Sequence, residues 1–433
     1  MTAPMVESRD RPPLQLTLDE ARGLMLDAQA LFVPPPVSPT SDDLQRMVER
    51  LGVVQIDTIS VVARAQYLTL WSRLGPYDPR LFDDLLYPRR GVFEYWSHAA
   101  SIVPMAAYPY YRRRMLDLAR RLTTSEHEWA ALHPMALHET LEEIRRRGPL
   151  ASSSFEAPPD ARRSGPWDWY GPKESRRALD LLWTSGDLMV HSRQAGQKRY
   201  DLRERVLAEA FPAGPPDDDA LPSAEERLDY FIQRTLDALG VVAPSWLWDY
   251  FRLSPQGGAR RAAAVSSLQG LVSAGLAVRA VVAGLDEPVV VATTALPTLQ
   301  RLRDGDRPVG TTLLSPFDPL IWDRARARTL FGYDVCFEAY VLPRKRRYGY
   351  YCLAILHNGE LVGRIDPKMD RKTATLRVQH VFLETGIVVA AVRDGVAQAL
   401  HGLAAFLQAK HVVVERPDDL SGLQDAVDKR RIA

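Results

Sequence analysis

Three times along this chain, amphipathic helix gives way to a short extended segment or further helices and then to a two-stranded ribbon. Few folds accommodate that order. In the first pass, Thr17-Leu18-Asp19-Glu20 has the spacing of a capping box, and Leu24, Leu26, Leu31 and Phe32 follow before Pro34-Pro35-Pro36 stops the helix. Ser41-Asp42-Asp43 opens a second helix that closes at Leu51-Gly52. The β-branched run 53–59 predicts a short strand, 62–74 and 79–86 predict helices, and 92–95 and 99–103 predict the ribbon. In the second pass, 141–147 reads as helix, 148–150 opens a strand, 174–184 is a candidate recognition helix, and 187–190 with 198–201 form a hairpin. A Pro/Trp/Gly-rich insertion occupies 157–171. In the third, helices at 225–239, 245–251 and 259–274 precede strands at 278–282 and 289–292. No sequence identity links the passes, so the repeat is architectural, and its order is that of a winged helix.

Pro/Asp-rich 212–222 and Gly/Asp/Pro-rich 303–309 read as linkers. Beyond them, 337–341, 348–356, 361–366 and 373–378 alternate as strands, with Asn358-Gly359 a strong hairpin signal. A helix at 388–407 and a strand at 412–415 close the chain. The expected fold is α+β: three tandem winged-helix units followed by a small antiparallel, barrel-like β-rich element. The expected boundaries are 1–135, 136–222, 223–302 and 303–433.

Composition narrows the chemistry. No apolar run approaches the ~18 residues of a membrane span. Residues 1–13 lack a secretory pattern, so a cytoplasmic protein is expected, with no membrane partner. Cys336 and Cys352 are the only cysteines, which excludes a disulfide framework and a cysteine-rich metal site; no metal or cofactor is expected. The net charge of +1 gives no global signal for nucleic acid. The cations are nevertheless mostly arginine, from codon bias or because the guanidinium fork suits phosphate. Lysine stands only at positions 173, 198, 345, 368, 372, 410 and 429, leaving few candidates for Schiff-base chemistry. Phosphate-loop, dinucleotide-binding, zinc-protease and nucleophile-elbow patterns are all missing.

If 54–57 is extended, Val54 and Ile56 share one face, and Gln55 and Asp57 project together from the other. An amide beside a carboxylate can position and deprotonate water. The same pair also fits a solvated strand face, or an Asp57 cap on the next turn. His98 and Trp96, at the ribbon, are possible neighbours of such a site or plain structural residues. Arg344-Lys345-Arg346-Arg347, followed by Tyr348, is either a solvated turn or a nucleic-acid contact in which cations meet phosphates and rings meet bases. Arg64, Arg176 and Arg177 are weaker DNA-contact candidates.

Taken together, several motifs resemble the YcaQ/AlkZ-type winged-helix DNA glycosylases, which unhook interstrand crosslinks. They are 51–59 (LGVVQIDTI), 94–100 (EYWSHAA), 314–324 (LSPFDPLIWDR), 346–351 (RRYGYY) and 362–366 (VGRID), in order along the chain. The resemblance implies three winged helices forming a DNA cradle. It also implies catalysis by Gln55 and Asp57, since the family motif is Gln-Φ-Gln in one branch and Gln-Φ-Asp in the YcaQ branch, which accepts broader alkylation. The implied reaction is hydrolysis of the N-glycosidic bond of N7-alkylated purines, leaving an abasic site. The implied partner is double-stranded DNA carrying alkylated or crosslinked purines, bound in the nucleoid with no obligate protein partner. A winged-helix regulator without chemistry is the competing expectation.

Overall fold

The structure, a computed structural model, describes residues 12–35, 38–124, 127–155, 174–253 and 258–429. The chain divides into two compact units, one of residues 1–82, 97–102 and 228–433, the other of 83–96 and 103–227. The insertion expected at 157–171 lies outside the described residues. No helix among the described residues is long and apolar enough to cross a membrane.

In the first unit, the capping box expected at Thr17 is formed, and Thr40, just before the expected start of the second helix, makes another. Thr17 caps helix Leu18–Ala28 reciprocally with Glu20, and Thr40 caps Ser41–Leu51 with Asp43. Gly52 ends the second helix in the left-handed region, at φ 71°, and a Cβ there would also lie 2.9 Å from the Phe251 ring. Residues Leu14–Leu16, given no element by the sequence patterns, add a parallel strand to Ala277–Val282. That strand pairs in turn with Val289–Ala292, which pairs with Val241–Val242. Three residues are too few to show an alternation, and this strand is defined by its partner rather than by its own pattern.

The C-terminal part of this unit corrects the barrel-like expectation. It is an open five-stranded sheet in the order Thr311–Leu314, Leu353–His357, Glu360–Asp370, Thr375–Leu383 and His411–Val414. The first four strands are antiparallel and the last is parallel to its neighbour, because helix Val389–Phe406 carries the chain across before it. Asn358 (φ 48°) and Gly359 (φ 87°) make the expected hairpin turn. Ile355, Ile365, Leu376, Val381, Val396 and Leu400 are all completely buried.

The strand expected over 337–341 is absent, and the one expected over 348–356 is shortened. The Glu338 carboxylate accepts the backbone N–H groups of Arg347 and Tyr348 at 2.8 Å and of Gly349 at 3.3 Å. Asp366 accepts those of Tyr350 at 3.3 Å and Tyr351 at 3.4 Å. Main-chain donors bound to side-chain acceptors cannot join a ladder. The strand expected from 348 therefore begins at Leu353, while residues 337–341 are a loop in which the Val341 N–H turns back onto the Glu338 carbonyl. Gly349 is required where it stands, since a Cβ would run into the Asp366 carboxylate.

The second unit contains strand Val92–Trp96, helices Tyr108–Thr123, Pro134–Arg147 and Glu174–Thr184, and a sheet in the order Leu150–Ala151, Gln197–Leu202, Leu188–Gln194. Glu94, nearly fully buried, is neutralised by Arg193 at 2.6 Å and accepts the Tyr87 hydroxyl at 2.8 Å. The Tyr95 hydroxyl donates to the Thr184 carbonyl at 2.6 Å. The start of the 94–100 motif thus has a packing role.

Candidate active site

The strand expected over 53–59 is only Val54–Gln55, paired antiparallel with Ala100–Pro104 so that Gln55 faces Ser101. One further bond, from the Ile56 N–H to the Ala100 carbonyl at 2.8 Å, extends the pairing. The chain then turns, because the Asp57 carboxylate accepts the Ile59 N–H at 2.7 Å. Asp57 is therefore a turn cap, one of the readings the sequence left open. It is also half-buried, and burial raises its pKa above the ordinary 3.8, against the lowering by that hydrogen bond. No cation is paired with it among the described residues. The buried Tyr351, whose hydroxyl lies 2.9 Å from Ser315 Oγ, has its pKa raised by burial and also by the Asp57 charge.

Gln55 lines a cleft of about 210 Å³ together with His98, Arg252, Phe317, Trp322, Arg324 and Phe337. Asp57 is not among its lining residues, and the strand expected to carry both side chains ends at Gln55. His98 stacks on Trp322 with centroids 3.9 Å apart and planes 7° from parallel. Its Nδ1 lies 2.9 Å from the Asp249 carbonyl, which can only accept, so the proton sits on Nδ1. Nε2 is then an acceptor, 3.4 Å from an Arg252 guanidinium nitrogen. Burial lowers the His98 pKa against the pull of Asp249, which keeps the ring neutral. Arg252 is held by a second bond, from Nε to the His98 carbonyl at 3.1 Å.

The remaining predicted site residues are scattered. Arg64 immediately precedes helix Ala65–Leu74 and is half-buried. Arg344, Lys345 and Arg347 are exposed, and Arg346 and Tyr348 half-buried, in the loop clamped by Glu338 and Asp366. Arg347 lies 4.7 Å from the Tyr348 ring centroid and Arg346 4.9 Å from that of Tyr350. Arg176 and Arg177 are exposed on a helix of the second unit, Arg177 over the Trp129 ring. Trp96 also belongs to the second unit, where its ring lies 5.7 Å from Trp183. Sequence reasoning missed Arg252 and Phe337. Trp322, Phe317 and Arg324 lie inside the quoted motif 314–324 but were given no individual role.

The raised pKa of Asp57 has a signed consequence. Its ionised form is disfavoured in the folded state, so the stability it contributes is lost as pH rises through the folded value. If the ionised carboxylate is the working form, activity should rise with pH through an acid limb centred above 3.8. A pH–rate profile that shows this limb in the parent protein, and none in the residual activity of Asp57→Asn, is the expected result. A limb that persists in the variant would assign it to another group.

The sequence model of a family described as "DNA glycosylase AlkZ-like" matches residues 48–406. Among solved structures, the chain is similar to Streptomyces sahachiroi DNA glycosylase AlkZ, with a TM-score of 0.61 and 16% identity, over 93% of this chain and 100% of that one. At that identity the structural likeness establishes the fold.

Proposed function

The chain belongs to the AlkZ-like DNA glycosylase family, and on that premise we propose that it hydrolyses the N-glycosidic bond of N7-alkylated purines in duplex DNA and unhooks interstrand crosslinks made through such bases. The observation that carries this reading is a half-buried carboxylate, Asp57, with one backbone hydrogen bond and no paired cation among the described residues, two residues from an amide that lines an aromatic-walled cleft. A buried anion without a counterion costs stability, and titratable groups perturbed in this way concentrate at functional sites. The helix–ribbon stretches are read as winged helices, and Gln55-Ile56-Asp57 as the Gln-Φ-Asp form of the motif.

An N7-alkylated purine carries positive charge and leaves without much acid catalysis. As the glycosidic bond breaks, the base takes the bonding electrons and C1′ becomes an oxocarbenium ion. The Asp57 anion stabilises that charge. Gln55 holds the water that attacks C1′, Asp57 accepts its proton, and the products are the free alkylated base and an abasic site. A crosslinked base is tethered to the opposite strand and cannot flip freely into a closed pocket; a cleft open to solvent accommodates it. The competing reading as a regulator without chemistry is not favoured by the family. A duplex crosslinked through guanine N7 tests the reading. Unhooking, seen as two separable strands on a denaturing gel, is expected, and intact crosslinks at enzyme excess would overturn it.

The basic loop supplies affinity in this account. Neutralising Arg344, Lys345, Arg346 and Arg347 together should weaken duplex binding. Each phosphate that the protein no longer neutralises should reduce the slope of log affinity against log salt by ~0.9. An unchanged slope in a titration across salt concentrations would show that the loop touches only solvent.

A further inference from the structure

We propose that Tyr340, with Leu342 beside it, is a wedge that enters the base stack next to the lesion; this rests on the reading of the protein as a glycosylase of duplex DNA. Tyr340 is 88% exposed and Leu342 56%. Single exposed apolar residues are ordinary on protein surfaces. These two differ in how they are held and in what adjoins them.

The segment that carries them is braced. The Val341 N–H closes a turn onto the Glu338 carbonyl at 2.9 Å, and Arg346 Nε donates to the Val341 carbonyl at 2.9 Å. Glu338 itself is anchored through its carboxylate to the N–H groups of Arg347 and Tyr348, at the end of the basic run. A backbone braced in this way has already met part of the ordering cost of presenting an aromatic tip to a partner. Four cations, Arg344 to Arg347, begin two residues after Leu342. That places phosphate-binding charge directly beside an apolar tip, the arrangement a wedge needs.

The tip is also connected to the site. The Tyr340 ring lies 5.8 Å from Phe337, which lines the cleft with Gln55, and Phe337 lies 6.3 Å from Tyr351. The tip therefore reaches, through Phe337, the tyrosine that feels the Asp57 charge. A ring inserted there would unstack a base close to the sugar on which Gln55 and Asp57 act, opening the duplex without extruding the lesion.

The test uses the full chain and a duplex with one N7-methylguanine and 2-aminopurine as its neighbour, whose fluorescence is quenched by stacking. Binding to saturation is expected to raise the fluorescence with the parent protein and with Tyr340→Phe, and not with Tyr340→Ala. Excision from the duplex should fall roughly 10- to 100-fold in Tyr340→Ala, the scale of one base–aromatic stack. The fall on the same lesion in a single strand should be at least about tenfold smaller, since no pair has to be opened. A full fluorescence rise in Tyr340→Ala, or equal falls on both substrates, would overturn the wedge. A rise that depends on Tyr340 while neither protein releases the base would uphold the wedge and refute the glycosylase reading.

Discussion

Asp57→Asn is expected to lower single-turnover excision of N7-methylguanine by ~10²–10³-fold, the loss typical of removing one preorganised electrostatic group. The substitution keeps the size of the side chain and an oxygen to accept the Ile59 N–H, so the turn at 57–59 is retained. What it removes is the charge that meets the cationic sugar. Duplex affinity should hold or rise slightly, because a carboxylate close to phosphates repels them. Gln55→Ala should cost less, since water can also be held by other polar groups on the cleft wall. Full activity in Asp57→Asn would remove Asp57 from the mechanism. Equal losses of rate and affinity would assign it to binding or folding instead.

The second large effect is on the fold. Arg73 and Asp318 are both fully buried and form a two-pronged ion pair, with Nη2 to Oδ1 at 2.7 Å and the second bond from Nη1 to Oδ2. The same guanidinium donates to the Gln29 and Thr69 carbonyls, each at 3.2 Å, and Asp318 accepts the Leu320 N–H at 3.0 Å. Asp318→Ala leaves a buried charge with only neutral acceptors. It should destabilise the first unit by about 3–5 kcal/mol in chemical denaturation. Replacing both partners with apolar residues of similar volume, Arg73→Met with Asp318→Leu, should recover most of that loss. A double variant as unstable as the single one would show that the pair itself, rather than the orphaned charge, sets the stability.

The parts of the fold legible in the sequence are those whose cause is local. The capping box at Thr17, the Gly52 cap and the Asn358-Gly359 turn each depend on residues within a few positions of one another. The Arg73–Asp318 pair spans 245 positions, and neither residue carries a sign of its partner. Glu338 and Asp366 were equally opaque, since their partners are backbone N–H groups that any residue would supply. Their effect is to hold the strand-like residues 348–351 out of the sheet. At the site, Gln55 and His98 were singled out and do line one cleft, whereas Arg252 and Phe337 reach it from distant stretches with no motif around them. The strand expected to run through Asp57 stops at Gln55, because the Asp57 carboxylate caps the turn that follows.

The most direct measurement of the central claim is base release from a duplex carrying a single N7-methylguanine, made with the parent protein and Asp57→Asn side by side. The free base and an equal amount of alkali-labile abasic sites should appear with the parent, with the variant slower by ~10²–10³-fold and an undamaged duplex left intact. Binding of the damaged duplex by the parent, without release of the base at enzyme excess, would contradict the account.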